Sequence, residues 1–325
     1  MVPRDVPTVD LDSSSDADLT ACLVENSCAF ITGHGVAPTV RDELVEVSRQ
    51  FFDLPWADKA AVQWPGDGYW RGWQPLAQGE VVVDGRQPTV LERFEVQMTP
   101  GPVVADDDEL LRRSAAFGLW PARPPEFRMA WARYYTAVAT VSSRVISAIA
   151  STLRLPEHEL GAWREEQHAN LVVNNYLAQD QPPPPGEIRQ PAHTDIGGLT
   201  VLWADDAPGG LEVRQPRTTG WTGIEFDGDV LLLQAGDLLA RWTNNIIRAN
   251  IHRVVNPPLT DGPGRRRTSV VYFHYPRLDT VVTPGPSCVS PDRPARAPID
   301  AGAHLRSAVA QPGARYRDLE DSIRS

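Results

Sequence analysis

Three side chains in the second half of the chain have the types and spacing to hold a metal ion. His193-Thr194-Asp195 puts an imidazole and a carboxylate two residues apart, just ahead of the apolar run 199–203. In an extended strand, residues i and i+2 point to the same side, so His193 and an Asp195 at the strand's end can reach one ion. His252, inside the strand-like run Ile251-His252-Arg253-Val254-Val255, can add a third ligand from a neighbouring strand. The triplet alone says little: with 7 His and 42 acidic residues in 325, about one His-x-acid triplet arises by chance. The context raises its weight. Two imidazoles and one carboxylate cover one face of an octahedron, leave other positions open and suit a borderline ion such as Fe(II). No cysteine lies close enough in sequence to suggest a thiolate site. Farther on, Arg267-Thr268-Ser269 pairs a guanidinium with a hydroxyl. A planar fork of N–H donors matches a carboxylate, so a small dicarboxylate is expected beside the metal.

The elements that must position these residues read as a β-rich core. From 171 onward the period is strand-like, in the short runs 171–177, 199–204, 211–215, 221–226, 230–234, 250–255 and 268–275. Gly, Pro, Asn and Asp turns separate them. Such spacing indicates a sandwich or barrel, most economically a double-sheet jelly roll, or double-stranded β-helix. Upstream, the pattern predicts a helix over 16–26, a strand over 28–32 and a helix over 40–52. The Gly-rich aromatic stretch 68–76 and the runs 81–83 and 90–98 fit strands or loops flanking a pocket. Trp70, Arg71 and Trp73 are candidates to contact a substrate there. A helix over 126–153 places Phe127, Trp131, Tyr134, Val138, Val141 and Val145 at three- and four-residue spacing. Pro156 ends it, and 157–164 reads as a short helix. The chain therefore divides into an N-terminal α/β region (1–110), supporting helices (111–168), a jelly-roll core (169–278) and a C-terminal helical segment (279–325), all one structural unit. The fold is mainly β with flanking helices.

Composition narrows the partners. The hydrophobic fraction of 42% supports a sizeable core, and the net charge of −11 disfavours nucleic acid, which needs a concentrated positive surface. Arg265-Arg266-Arg267, the one basic cluster, reads as a loop feeding a strand. The acidic, Ser-rich start lacks the apolar run of a signal peptide, and no stretch approaches the roughly 18 apolar residues of a membrane span. Cys22, Cys28 and Cys288 follow no disulfide framework, so reduced thiols and a cytoplasmic location are expected. That compartment also keeps iron ferrous. The acidic run 106–109 reads as a solvated loop, and the tetraproline at 182–185 as a stiff connector.

Taken together, these residues resemble the isopenicillin-N-synthase-like group of Fe(II)- and 2-oxoglutarate-dependent oxygenases, almost end to end. Phe30-Ile31-Thr32-Gly33-His34-Gly35-Val36 and Phe51-Phe52-Asp53-Leu54-Pro55 look like that family's N-terminal region. Gly68-Tyr69, Arg71-Gly72-Trp73 and Pro75-Leu76 are similar to its next block, and Asn174-Asn175-Tyr176 to its Asn-x-Tyr segment. His193-Thr194-Asp195, His252-Arg253-Val254 and Arg267-Thr268-Ser269 follow in order. The resemblance implies iron ligands His193, Asp195 and His252. It implies that Arg267 and Ser269 bind the distal carboxylate of 2-oxoglutarate, with Tyr176 bonding the same group and Asn174 close by. Two departures bear on cavity shape: Asn245-Ile246 stands where Gly-Arg is usual, and Tyr275 where Asn is usual. Asn tolerates a left-handed turn, so the loop is expected to survive.

The same resemblance implies the chemistry: 2-oxoglutarate and O2 are consumed, succinate and CO2 released, and a C–H bond of a small molecule oxidised. The outcome is hydroxylation, desaturation or ring formation, in specialised or antibiotic metabolism, with ascorbate stimulating. Three alternatives stay open at this point: an Fe(II)/O2 oxidase of the isopenicillin N synthase type, a jelly-roll protein that binds metal or ligand without turnover, and a hydrolytic zinc site. Of the other histidines, His34 reads as a turn residue, and His158 and His168 as surface or structural. His274 is either a hydrogen-bonded core residue or a substrate contact. Oligomeric state is not legible.

Overall fold

Ser15 starts the first helix: its hydroxyl accepts the Asp18 N–H while the Asp18 carboxylate accepts the Ser15 N–H, a reciprocal cap that satisfies two free donors. The computed structural model describes residues 6–65, 71–75, 91–98, 119–164, 168–178, 188–256 except 208, 217 and 219, and 265–310. Trp70 and the segments 81–83, 106–109 and 182–185 lie outside the described residues. The N-terminal half runs β1 (Thr8–Asp10), α1 (Asp16–Asn26), β2 (Cys28–Thr32), α2 (Pro38–Phe52), α3 (Trp56–Ala60), β3 (Gly72–Gln74) and β4 (Leu91–Met98). Two helices follow, α4 (Phe127–Leu153) and α5 (Glu157–Arg164). The core strands are β5 (His168–Tyr176), β6 (Ile188–His193), β7 (Leu199–Ala204), β8 (Leu211–Arg214), β9 (Thr222–Gly223) and β10 (Leu231–Ala235). After α6 (Asp237–Trp242) come β11 (Ile251–Val255), β12 (Arg267–Tyr275), β13 (Val281–Val282), β14 (Ile299–Asp300) and α7 (Ala301–Ala310).

An eight-stranded sheet in the order β1-β2-β10-β7-β12-β5-β4-β3 faces a four-stranded sheet, β6-β11-β8-β9. The sequence of the large sheet assigns its two faces by alternation. On one face Ile31, Leu171, Val173, Val201, Leu233, Val270 and Tyr272 join the main core with α4. On the other, Phe30, Val172, Leu202, Leu232 and Val271 meet Leu211, Val213 and Val254 of the small sheet. This second, smaller core is the inside of the jelly roll. Its neighbours along the same strands are polar, and they build the site.

α4 carries the buried stripe expected of it, from Phe127 through Tyr134 and Val141 to Ile149, and ends at Arg154 in a left-handed conformation. By length and composition α4 also qualifies as a membrane span, which corrects the expectation that no stretch comes close. Half of that window is buried, as in a core helix packed against both other helices and a sheet. The expected strand at 221–226 shrinks to β9, two residues on the edge of the small sheet, where little pairing holds it. Asn244 and Asn245 both adopt left-handed backbone, at φ 49 and 60, so the loop after α6 keeps its turn without glycine.

Candidate active site

β6 ends at His193, and the chain turns immediately through Thr194 and Asp195 to Gly197 and Gly198. Gly197 is needed because a Cβ there would lie 2.4 Å from the His274 carbonyl oxygen. That close approach lets Asp195 fold back beneath the strand. His252, on β11, pairs directly with His193, and the two rings lie 4.2 Å apart. The Asp195 Oδ1 is 3.8 Å from His193 Nε2 and 3.7 Å from His252 Nε2. All three ligand atoms fall within 4.8 Å of one another, the spread expected around a single ion. Both Nδ1 atoms face backbone carbonyls, Pro191 at 2.8 Å and Asn250 at 3.3 Å. Donating Nδ1–H to those carbonyls leaves both Nε2 lone pairs for a metal. The Thr200 hydroxyl donates to the other Asp195 oxygen, Oδ2, and so orients the carboxylate. The donor set, two neutral imidazoles and one carboxylate on one side of an open space, fits Fe(II).

The anion site stands on the large sheet. β12 pairs with β5 so that Arg267 stands opposite Tyr176 and Ser269 opposite Asn174. Asn174 Nδ2 donates to Ser269 Oγ at 3.2 Å, and the Arg267 Cζ lies 5.2 Å from the centre of the Tyr176 ring. Arg267 is 3% exposed, its Nε is buried without a hydrogen-bond partner, and among the described residues no carboxylate pairs with it. A buried guanidinium left in that condition is costly, and a carboxylate ligand is the natural partner. Gly209 makes room for it: a Cβ there would sit 2.6 Å from Arg267 Nε. The structure thus brings together all four residues expected at the cosubstrate.

Two further residues at the site, Arg189 and Thr200, are not among those the sequence reading picks out. Arg189, 3% exposed on β6, places its Cζ 5.0 Å from the centre of the Tyr176 ring, and burial lowers its pKa. Its only signal in the sequence is a cation four residues before His193; two register shifts of β6 against β11 keep simple alternation from assigning its side.

The substrate candidates fare differently. Trp73 is 1% exposed in the main core, and its indole N–H donates to Glu92 Oε2 at 2.8 Å. It is a packing residue on the helix-facing side, opposite Phe94, and this corrects its assignment as a substrate contact. His274 is corrected likewise: it is fully buried, bonded through Nδ1 to Ser142 Oγ at 2.8 Å and stacked on Trp163. Burial lowers its pKa to about 3, so it stays neutral. Arg71 is half-buried immediately before β3. Among the remaining histidines, His34 is a buried turn residue accepting the Val36 N–H, and His168 is buried with its pKa lowered to about 4 by desolvation.

Comparison with known proteins agrees with this geometry. Residues 168–276 match the 2OG-Fe(II) oxygenase superfamily, and residues 6–123 match the N-terminal region described for non-haem dioxygenase in morphine synthesis. The chain is 31% identical over 284 residues to validamycin A dioxygenase of Streptomyces hygroscopicus subsp. limoneus, covering 82% of this chain and 76% of that one. It is also 31% identical over 272 residues to proline hydroxylase buaE of Petromyces alliaceus, covering 81% and 82%. The fold matches the crystal structure of the dioxygenase for auxin oxidation in rice, with a TM-score of 0.75 over 96% of this chain and 99% of that one, at 23% identity. Site chemistry, sequence and fold converge on one conclusion: the chain belongs to the 2OG-Fe(II) oxygenase superfamily and is an Fe(II)- and 2-oxoglutarate-dependent dioxygenase.

Proposed function

We propose that His193, Asp195 and His252 hold the iron, and that Arg267, Ser269, Tyr176 and Asn174 hold 2-oxoglutarate while the enzyme oxidises a C–H bond of a small molecule. The observation that carries this reading is the buried Arg267, which has no carboxylate partner among the described residues and stands on the large sheet, facing the interior that the small sheet's His193 and His252 also border. An Fe(II)/O2 oxidase that takes no ketoacid can keep the same Arg–Ser pair for another anion, so the ketoacid-dependent reading is preferred on the match to the 2OG-Fe(II) oxygenase superfamily. The similarity to validamycin A dioxygenase supports a place in specialised metabolism.

When bound, iron and 2-oxoglutarate supply the oxidising power; the protein supplies position and dryness. The two Nδ1–H bonds keep both imidazoles in the ligating tautomer. Thr200 steadies Asp195, and Arg267 would hold a carboxylate of the cosubstrate. The apolar lining from Leu202, Val213, Val254 and Val271 limits water between the sheets. Anaerobic addition of Fe(II) and 2-oxoglutarate should give the visible absorption of their chelate, and turnover under air should release succinate in step with product. Product formation without added ketoacid would instead favour the oxidase.

A further inference from the structure

The inner face of the large sheet carries a second polar cluster that the iron and cosubstrate do not use. β4 pairs with β5 so that Gln97 stands opposite Asn170 and Glu95 opposite Val172. Asn170 in turn stands opposite Phe273, which stands opposite Thr200, the residue bonded to Asp195. By alternation all of these face the inside of the jelly roll. Three strand spacings of about 4.8 Å, or about 14 Å along the sheet, separate the β4 row from the Thr200 row, a distance a small molecule can bridge.

Glu95 is 4% exposed, yet among the described residues it forms no ion pair. Its Oε1 accepts from Asn170 Nδ2 at 3.0 Å and its Oε2 from Gln74 Nε2 at 3.3 Å. Arg93, the nearest cation on its own strand, is exposed and donates instead to Gln74 Oε1. Two buried acceptors beside it, Asn170 Oδ1 and Gln97 Oε1, have no hydrogen-bond partner among the described residues. Gln97 Nε2 is occupied with His168 Nε2 at 2.6 Å. A carboxyl group and two neutral acceptors without protein donors share the cluster, and buried acceptors call for donors. A ligand rich in N–H donors would satisfy all three.

We propose that Glu95, Asn170 and Gln97 form the distal end of the substrate site and receive a cationic nitrogen, an ammonium or a guanidinium, on the small molecule to be oxidised. The subsite rests on the oxygenase reading above for its role, but its charge preference is measurable without turnover. Burial raises the Glu95 pKa to about 7, and a bound cation would favour the ionised form.

The test is calorimetric titration of the anaerobic Fe(II)·2-oxoglutarate enzyme with n-pentylammonium, n-pentylguanidinium and uncharged 1-hexanol. Either cation should bind at least tenfold more tightly than the alcohol at pH 8. That ratio should fall as the pH drops to 6 and Glu95 takes up a proton. Over this range His168, near 4, stays neutral and does not account for the change. Glu95→Gln should erase the preference and leave the Fe(II)·2-oxoglutarate absorption intact. If that variant fails to fold, the pH series on the unaltered enzyme decides. Equal binding of cations and alcohol at pH 8, or a preference that survives Glu95→Gln, overturns the subsite. Absence of the chelate absorption in the unaltered enzyme counts against the metal reading alone, because the probe titration reads the cluster directly.

Discussion

Replacing Gly209 by alanine should weaken 2-oxoglutarate binding without altering any residue proposed to contact it, by displacing the Arg267 side chain. The new Cβ would lie 2.6 Å from Arg267 Nε, 2.9 Å from Cζ and 3.0 Å from Nη2. Gly209 does not occupy the left-handed region, so alanine brings no backbone strain and the whole effect is steric. Carbon and nitrogen settle near 3.5 Å or beyond, so the guanidinium must withdraw by about 0.5–1 Å. Tyr176 packs at the Arg267 guanidinium and restricts that retreat. A displacement of this size stretches a charge-assisted bond from about 2.8 Å to beyond its useful range. Hydrogen bonds to charged groups contribute about 1.5–3 kcal/mol, which converts to a loss of roughly 10- to 150-fold in cosubstrate affinity. Deleting the cation altogether in Arg267→Ala sets the ceiling, at about 2–5 kcal/mol. Anaerobic titration of the Fe(II)-loaded variant with 2-oxoglutarate, followed by the visible absorption, measures the effect. Iron affinity should be unchanged. A Gly209→Ala enzyme that binds 2-oxoglutarate within twofold of the parent would show that the carboxylate is not held where Arg267 now points.

Other perturbations separate the metal, its support and the scaffold. His193→Ala should abolish turnover together with Fe(II) binding, and full activity in that variant would remove the basis of the metal site. Thr200→Val keeps the side-chain shape but removes the hydroxyl that orients Asp195, so Fe(II) should bind about 10- to 100-fold more weakly with unchanged thermal stability. Glu92 accepts from Lys59, Trp73 and Asn175 in a nearly dry site, and Glu92→Leu should cost about 3–5 kcal/mol in urea unfolding; a loss under 1 kcal/mol would refute that network's weight. His274 and His168 take up protons in the unfolded chain near pH 6.5 but in the folded protein only near 3 and 4. Their contribution to stability is complete above about pH 6.5 and is lost as the pH falls toward those values. A melting-temperature series should therefore decline in acid, and His274→Asn should flatten the decline. An unchanged slope would mean that His274 is not the buried neutral group described.

Long periodic segments and glycine-marked turns make much of this architecture legible, because each depends on neighbours in sequence. The stripe of α4 spans 27 residues, so its period dominates any local accident, and β7 is read to its ends from the alternation in Leu199–Ala204. Short elements without a period, such as α3 and α6, give no such signal. Within the site, alternation carries further information. His274 is five residues from Ser269, an odd interval, which on one strand puts it on the opposite face, toward Ser142 and α4. Arg189 and His193 are four apart, but two register shifts of β6 against β11 interrupt the alternation between them, so it is the folded strand that shows Arg189 beside the Tyr176 ring. Trp73 cannot be sorted this way, because β3 is only three residues long and its side is set by pairing with Phe94.

Interval parity says which side a residue takes, but not which residue on the next strand it meets. The iron ligands escape that limit because a metal demands particular donor types, so chemistry identifies the partners that register will later bring together. Glu95 has no such signature: a glutamate in a strand of mixed charge reads as solvent-facing. Only the pairing of β4 with β5 sets it beside Asn170, and only the pairing of β5, β12 and β7 sets that row in line with Asp195. The part of an oxygenase that selects its substrate is therefore the part most dependent on strand register. A one-residue slip of β4 would turn Glu95 toward the helices and bring Glu92, now bound to Lys59, to the inner face instead. The buried Lys59–Glu92–Trp73 network on the outer side disfavours that slip, so a packing feature far from the iron also holds the proposed cation acceptor in place.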